Sequence, residues 1–177
     1  MLASLTYDWA LRLRLSGTNL NRFLLEDTVL PACDLATQVA IAQRTLRLCA
    51  ILPWHASSWR ASQREGWLPA DWSFATHAAT ADAERRRIHA ELEAYVATAF
   101  GLTADDFAWI LRDCAHPAAS LRKSTLTRGL DQRGFWRLDR ALPPEERLPA
   151  RALQCFAARG ADSSAAETPQ PATIELR

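Results

Sequence analysis

The sequence predicts a mainly α protein: a single helical domain with a minor β element near the N-terminus and a disordered C-terminal tail. Three observations carry that prediction. Apolar residues recur at spacings of three and four, above all between Ala81 and Phe100 and between Thr103 and Cys114. Residues that cap helices stand at the ends of such stretches, with Asp34, Gly101 and Thr103 the clearest. One run, Leu20 to Leu30, is apolar and partly β-favouring instead. At 177 residues the chain suits one domain of ordinary size. It divides into an N-terminal segment 1–31, a helical body 32–159 and a tail 160–177.

The first helix is expected over Ser4–Arg14, where Leu5, Trp9, Ala10 and Leu13 approximate a stripe. Ser16-Gly17-Thr18 breaks it, and an extended or single-turn segment follows to Pro31. Asp34 reads as the N-cap of the next helix, which runs to about Leu52 on a stripe of Leu35, Val39, Ala42, Leu46 and Cys49. Pro53 ends it. From Trp54 to His77 the pattern is irregular, and its tryptophans are expected to fasten a long connection to the surface.

The strongest helical signal covers Ala81–Phe100, with Asp82 and Glu84 in the first turn and Ile88, Leu92, Tyr95, Val96 and Ala99 along one face. Gly101 takes the place of a left-handed C-cap. Thr103 and Asp106 then form a capping-box pattern ahead of an inner stripe of Phe107, Ile110, Leu111 and Cys114, so the two helices make an αα-hairpin. Leu121–Leu130 is weakly helical and basic, and Arg133–Leu138 reads as an ordered aromatic loop. Pro143–Arg147 leads into a last helix ending near Ala158, beyond which the Ala-, Ser- and Pro-rich composition predicts disorder.

Several function classes lack their residues. No stretch approaches the ~20 apolar residues of a membrane span, and the first eight residues have no basic region ahead of an apolar core, so cytoplasmic residence is expected. Cys33, Cys49, Cys114 and Cys155 form no C-x-x-C pair, which argues against disulfides or a cysteine zinc site. His55, His77, His89 and His116 show no ligand spacing, so no metal site is expected. There is no glycine-rich loop after a strand, no P-loop and no H-E-x-x-H. No catalytic residue can be assigned.

Positive charge is what remains. Lys123 is the single lysine among 21 basic residues, a bias that fits either a GC-rich coding sequence or the use of arginine forks on phosphate and guanine. The densest cationic stretch holds Arg122, Lys123, Arg128, Arg133, Arg137 and Arg140, offset by Asp131 and Asp139 and interleaved with Phe135 and Trp136. It reads either as a track for a nucleic-acid backbone or as a solvated face with a packed aromatic pair. Arg85-Arg86-Arg87 is open to the same two readings. The hairpin at Gly101 could be a helix-turn-helix, but Asp105 and Asp106 stand where a recognition helix would meet phosphates, which favours a structural hairpin.

The stretch Ser4-Leu5-Thr6-Tyr7-Asp8-Trp9 through Gly17-Thr18-Asn19-Leu20-Asn21-Arg22-Phe23 resembles a signature near the end of the target-recognition region of large single-chain adenine-specific DNA methyltransferases. These include type IIG restriction-modification enzymes and phage-defence methylases. Where that family continues with Gln-Leu-Pro, this chain has Val29-Leu30-Pro31, without the glutamine and at altered spacing. A looser similarity extends over Arg85–Ala94, Phe100–Leu111 and Arg133–Asp139 with Pro143-Pro144-Glu145.

The resemblance implies a DNA-recognition and scaffold segment whose catalytic Asn/Asp-Pro-Pro-Tyr/Phe motif and S-adenosylmethionine site lie in an upstream domain. This chain carries neither motif, so the catalytic domain would come from a partner methyltransferase chain, with double-stranded DNA as the shared ligand. Arg12, Arg14, Thr18, Asn19 and Asn21 around the glycine turn would face the DNA backbone, or else form a corner that only packs the recognition region. The DNA-binding candidates are therefore these five together with Arg122, Lys123, Arg133 and Arg137. The alternative is a helical protein-interaction module, or a truncated remnant, with no DNA role.

Overall fold

The computed structural model describes residues 1–15 and 20–166, with 161–166 described by backbone alone. Among these residues the secondary structure is entirely helical: α1 (Leu5–Arg14), α2 (Arg22–Glu26), α3 (Leu35–Cys49), α4 (Ala56–Arg64), α5 (Phe74–His77), α6 (Asp82–Ala99), α7 (Ala104–Ile110), α8 (Ala118–Leu121), α9 (Ser124–Gly129) and α10 (Leu148–Ala166). Short 3₁₀ turns at Pro53–His55 and Pro144–Glu146 precede α4 and α10.

The long helix α6 is the spine, packed between α3 on one side and α10 on the other, with α1 laid against it as well. Its sequence explains how. Ala90, Ala94 and Ala97 are fully buried at spacings of four and three, and small side chains let a neighbouring helix approach closely. Ala152 of α10 is equally buried. Around this seam Leu5, Phe107, Ile110, Leu111, Phe135 and Leu148 form the main core. Because α6 is enclosed on more than one side, its buried set is broader than the single stripe through Ile88 and Val96 that the sequence suggests, and it includes Glu93.

Helix ends follow local chemistry closely. Ser4 caps α1 by accepting from the Tyr7 N–H at 3.3 Å, and Asp34 caps α3 by accepting from the Thr37 N–H at 2.6 Å. The Asp34 carboxyl is held below its usual range by that cap. Gly101 takes φ +69°, and Leu102 N–H reaches back to the Ala97 carbonyl at 3.2 Å, the 6→1 bond of a Schellman ending. Thr103 and Asp106 complete the reciprocal capping box that opens α7.

Four expectations are corrected. The β element at Leu20–Leu30 is instead the short helix α2, because Asn21 caps it by accepting from Leu24 N–H at 2.9 Å and Arg22 pairs with Glu26 one turn on. The irregular stretch from Trp54 to His77 holds α4 and α5. Trp59 anchors it in a satellite core with Ala50 and Leu68, donating its indole N–H to the Ala50 carbonyl at 2.9 Å, while Trp54 stays exposed. The stripe of α3 is misjudged, since Leu35 and Cys49 are exposed and Ile41 is its buried residue. The last helix continues past Ala158 through 160–166. Residues 167–177, the rest of the tail expected to be disordered, lie outside the described residues, as does the 16–19 turn.

Candidate nucleic-acid interface

The basic stretch folds around one tryptophan. Leu121, Leu130 and Trp136 are buried together, with Leu126 against them, so α8, α9 and the 131–138 loop share a small core of their own. Apolar burial fixes these backbones and leaves the polar residues between them facing water. Arg122, Lys123, Arg128, Arg133, Arg137 and Arg140 are all exposed.

Asp131 is the hub of the loop. Its carbonyl accepts the Trp136 indole N–H at 3.0 Å and the Gly134 N–H at 3.0 Å. Its carboxylate pairs with Arg112 and accepts the Arg133 N–H at 2.9 Å. Its own N–H donates to Asp113 at 2.9 Å. A side chain at Gly134 would meet the Asp131 carbonyl at 3.2 Å, so glycine is what lets the loop close this tightly. Asp139, the second acid of the stretch, accepts the Leu148 N–H at 3.1 Å and helps start α10. Of the two acids in the stretch, Asp131 is thus neutralised by Arg112, while Asp139 bonds a backbone amide and keeps its charge. None of the six cations has an ion-pair partner among the described residues, whereas Arg12, Arg14, Arg22, Arg44, Arg47, Arg87 and Arg112 all do.

The N-terminal candidates have a different placement. Arg12 grips Asp8 through two nitrogens, at 3.0 and 2.6 Å, donates its third to the Arg133 carbonyl at 3.0 Å, and lies 4.5 Å from the Phe135 ring centre. It is a strap between α1 and the basic loop, with its charge paired to Asp8 and three of its five N–H donors used within the fold. Arg14 pairs with Asp27 and bonds its carbonyl, tying the end of α1 to the C-terminal end of α2. Asn21 is the cap of α2. Thr18 and Asn19 lie outside the described residues. The structure therefore joins the two candidate sets through Arg12 and Arg133, but leaves free cations only on the second.

The arginine triplet divides in the same way. Arg85 donates to the carbonyls of Leu48 and Ala79, both at 2.9 Å, and Arg87 pairs with Glu91. Arg86 stays exposed and lines, with His89, a cavity of about 490 Å³ beside α1 and α3.

Three residues carry structure that the sequence did not flag. Arg147 is 0 % exposed and faces no carboxylate. Its guanidinium is held by carbonyls of Cys114 and His116 at 2.7 Å, Leu142 at 3.0 Å and Arg140 at 3.3 Å. Glu93 is 1 % exposed, accepts the Leu5 N–H at 2.8 Å from the first turn of α1, and has His89 at 3.3 Å. A carboxylate is well placed there, at the positive end of the helix. Trp109 is 62 % exposed on α7. The signal for Arg147 and Glu93 was faint: a charge beside a proline-rich helix entry, and a charge on a face that periodicity assigns to solvent.

Burial pushes the Cys114 thiol up to about 11 and raises that of Cys155, away from the thiolate form that reacts. No group of three or more His, Cys, Asp or Glu among the described residues is arranged to hold a metal ion, and no described helix is long and apolar enough to cross a membrane. Compared with known proteins, the chain matches no family model, no curated protein and no solved structure.

Proposed function

We propose that this chain is a DNA-binding scaffold segment that works with the catalytic domain of an adenine-specific DNA methyltransferase supplied by a partner, in the cytoplasm. One observation carries the DNA half of this reading. Six exposed cations lie within 122–140 around a rigid aromatic loop, and the two acids among them are engaged internally. Unpaired arginines on a fixed backbone attract a polyanion and release its counterions on contact.

The partner half rests on the sequence resemblance and on a second surface. Phe23 is 70 % and Val29 78 % exposed, and Leu13, Leu20, Leu30 and Leu35 extend the same N-terminal region. Large apolar side chains left exposed along one segment are what a covering partner would bury. We assign S-adenosylmethionine to the partner, a reading supported by the lack of a strand–glycine loop–helix unit among the described residues. The same apolar surface favours the alternative, a helical protein-interaction module without a DNA role.

The test is binding to a fluorescent 20-bp duplex, read by anisotropy across a salt series. With six contacts the slope of log K against log salt approaches roughly −5, at about 0.9 per phosphate neutralised. A double substitution R133A/R137A lowers its magnitude by about 2 on the same basis. A folded chain that does not bind at low salt overturns the DNA reading and leaves the interaction module.

A further inference from the structure

We infer that Trp109 is a stacking platform for an unpaired nucleobase, so that the basic face takes a single-stranded stretch of DNA as well as a duplex. This rests on the DNA reading above and names the form of nucleic acid. Trp54 and Trp109 both expose their indoles, but Trp109 is the one held as a platform by an arginine over its ring. Arg112 lies 4.2 Å from the ring centre, donates to the Trp109 carbonyl at 2.9 Å, and is pinned from its far side by the ion pair with Asp131. One face of the indole is therefore backed by a fixed guanidinium, and the ring as a whole remains 62 % exposed.

The pinning residue locates the platform. Asp131 is the hub that also fixes Arg133 and Trp136, so Trp109 is two contacts from the loop bearing the free cations. Arg133 and Arg137, exposed on that loop, are the cations proposed to meet the phosphates of a strand stacked there. Aromatic stacking flanked by backbone-tracking cations is the arrangement by which proteins hold single strands without reading sequence. Duplex DNA keeps its bases stacked on each other and cannot use the ring.

The experiment compares a labelled dT20 strand with the 20-bp duplex, using the full chain and the variants W109A, W109F and R133A/R137A. Stacking of one base contributes roughly 5- to 100-fold in affinity. W109A should therefore weaken dT20 binding by at least fivefold and change duplex binding by less than twofold, with W109F restoring much of the loss. R133A/R137A should weaken both. If W109A binds dT20 as the natural chain does while the duplex still binds, the stacking platform is refuted and the DNA reading survives. If neither probe binds the folded natural chain, both are refuted.

Discussion

Replacing Arg147 by methionine should destabilise the protein by about 3–5 kcal/mol, because several backbone carbonyls lose their donor at once. The magnitude follows from what the guanidinium satisfies. Three carbonyls, of Cys114, His116 and Leu142, receive N–H donors at 2.7, 2.7 and 3.0 Å, and the Arg140 carbonyl a weaker one at 3.3 Å. Methionine fills much of the volume but donates nothing, so the buried Cys114 carbonyl and the part-buried others lose their partners at up to ~1–3 kcal/mol each. Release of the arginine's own desolvation cost offsets part of the sum, which is why the lower end of additivity is expected. R147K keeps the charge with three donors and should fall between the two. Urea unfolding followed by circular dichroism reads this directly: at a slope of 1–3 kcal/mol per molar, the midpoint should fall by about 2 M. A midpoint for R147M within about 0.3 M of the natural chain would refute the reasoning, because water would then be serving the carbonyls.

Three further outcomes are expected. G134A brings a methyl group to 3.2 Å from the Asp131 carbonyl; it should cost about 1–2 kcal/mol by overpacking and weaken duplex binding, checked by urea midpoint and anisotropy on the same sample. The Asp106 carboxyl is held below its usual range by the Thr103 hydroxyl and then the Thr103 amide. Its capping contribution is thus present above the unfolded carboxyl pKa and lost as pH falls through the lower folded one; D106N should flatten that part of the acid-unfolding curve relative to the natural chain. Cysteine labelling with a maleimide at neutral pH should modify exposed Cys49 first and buried Cys114 last, read by peptide mass spectrometry against time.

Helix existence was legible because it rests on nearest neighbours in sequence. Asp34, Gly101 and the Thr103–Asp106 box act within one turn, and the structure uses each as its local chemistry dictates. Which face of a helix is buried was less legible, because that depends on how many partners surround it. α6 is enclosed by α3, α10 and α1, so Ala90, Ala94 and Ala97 are buried where a one-sided stripe would leave them at the margin. The segment Leu20–Leu30 misled for a different reason: its apolar residues suggest burial in a strand, yet Phe23, Val29 and Leu30 are exposed and Asn21 and the Arg22–Glu26 pair decide the local geometry.

The same distinction separates the two sets of candidate arginines. A sequence counts charges but does not say which are neutralised, because neutralisation is a tertiary property. Arg12 and Arg133 are 121 positions apart, yet the guanidinium of one bonds the carbonyl of the other. Arg12 is already neutralised by Asp8 one turn away, and this long-range bond spends a further donor on stiffening the loop that carries Arg133. Arg147 does likewise at the other end of the stretch, since its bonds to the Arg140 and Leu142 carbonyls hold that end against the core. The buried and paired arginines thus build the frame on which the unpaired ones are displayed. Substitutions in the two groups should therefore differ in kind. R12A should lower stability and weaken duplex binding only by loosening the loop, leaving the salt slope unchanged, whereas R133A should leave the urea midpoint in place and reduce the slope by about one. An R12A variant whose slope fell while its midpoint did not would mean that Arg12 meets phosphate after all.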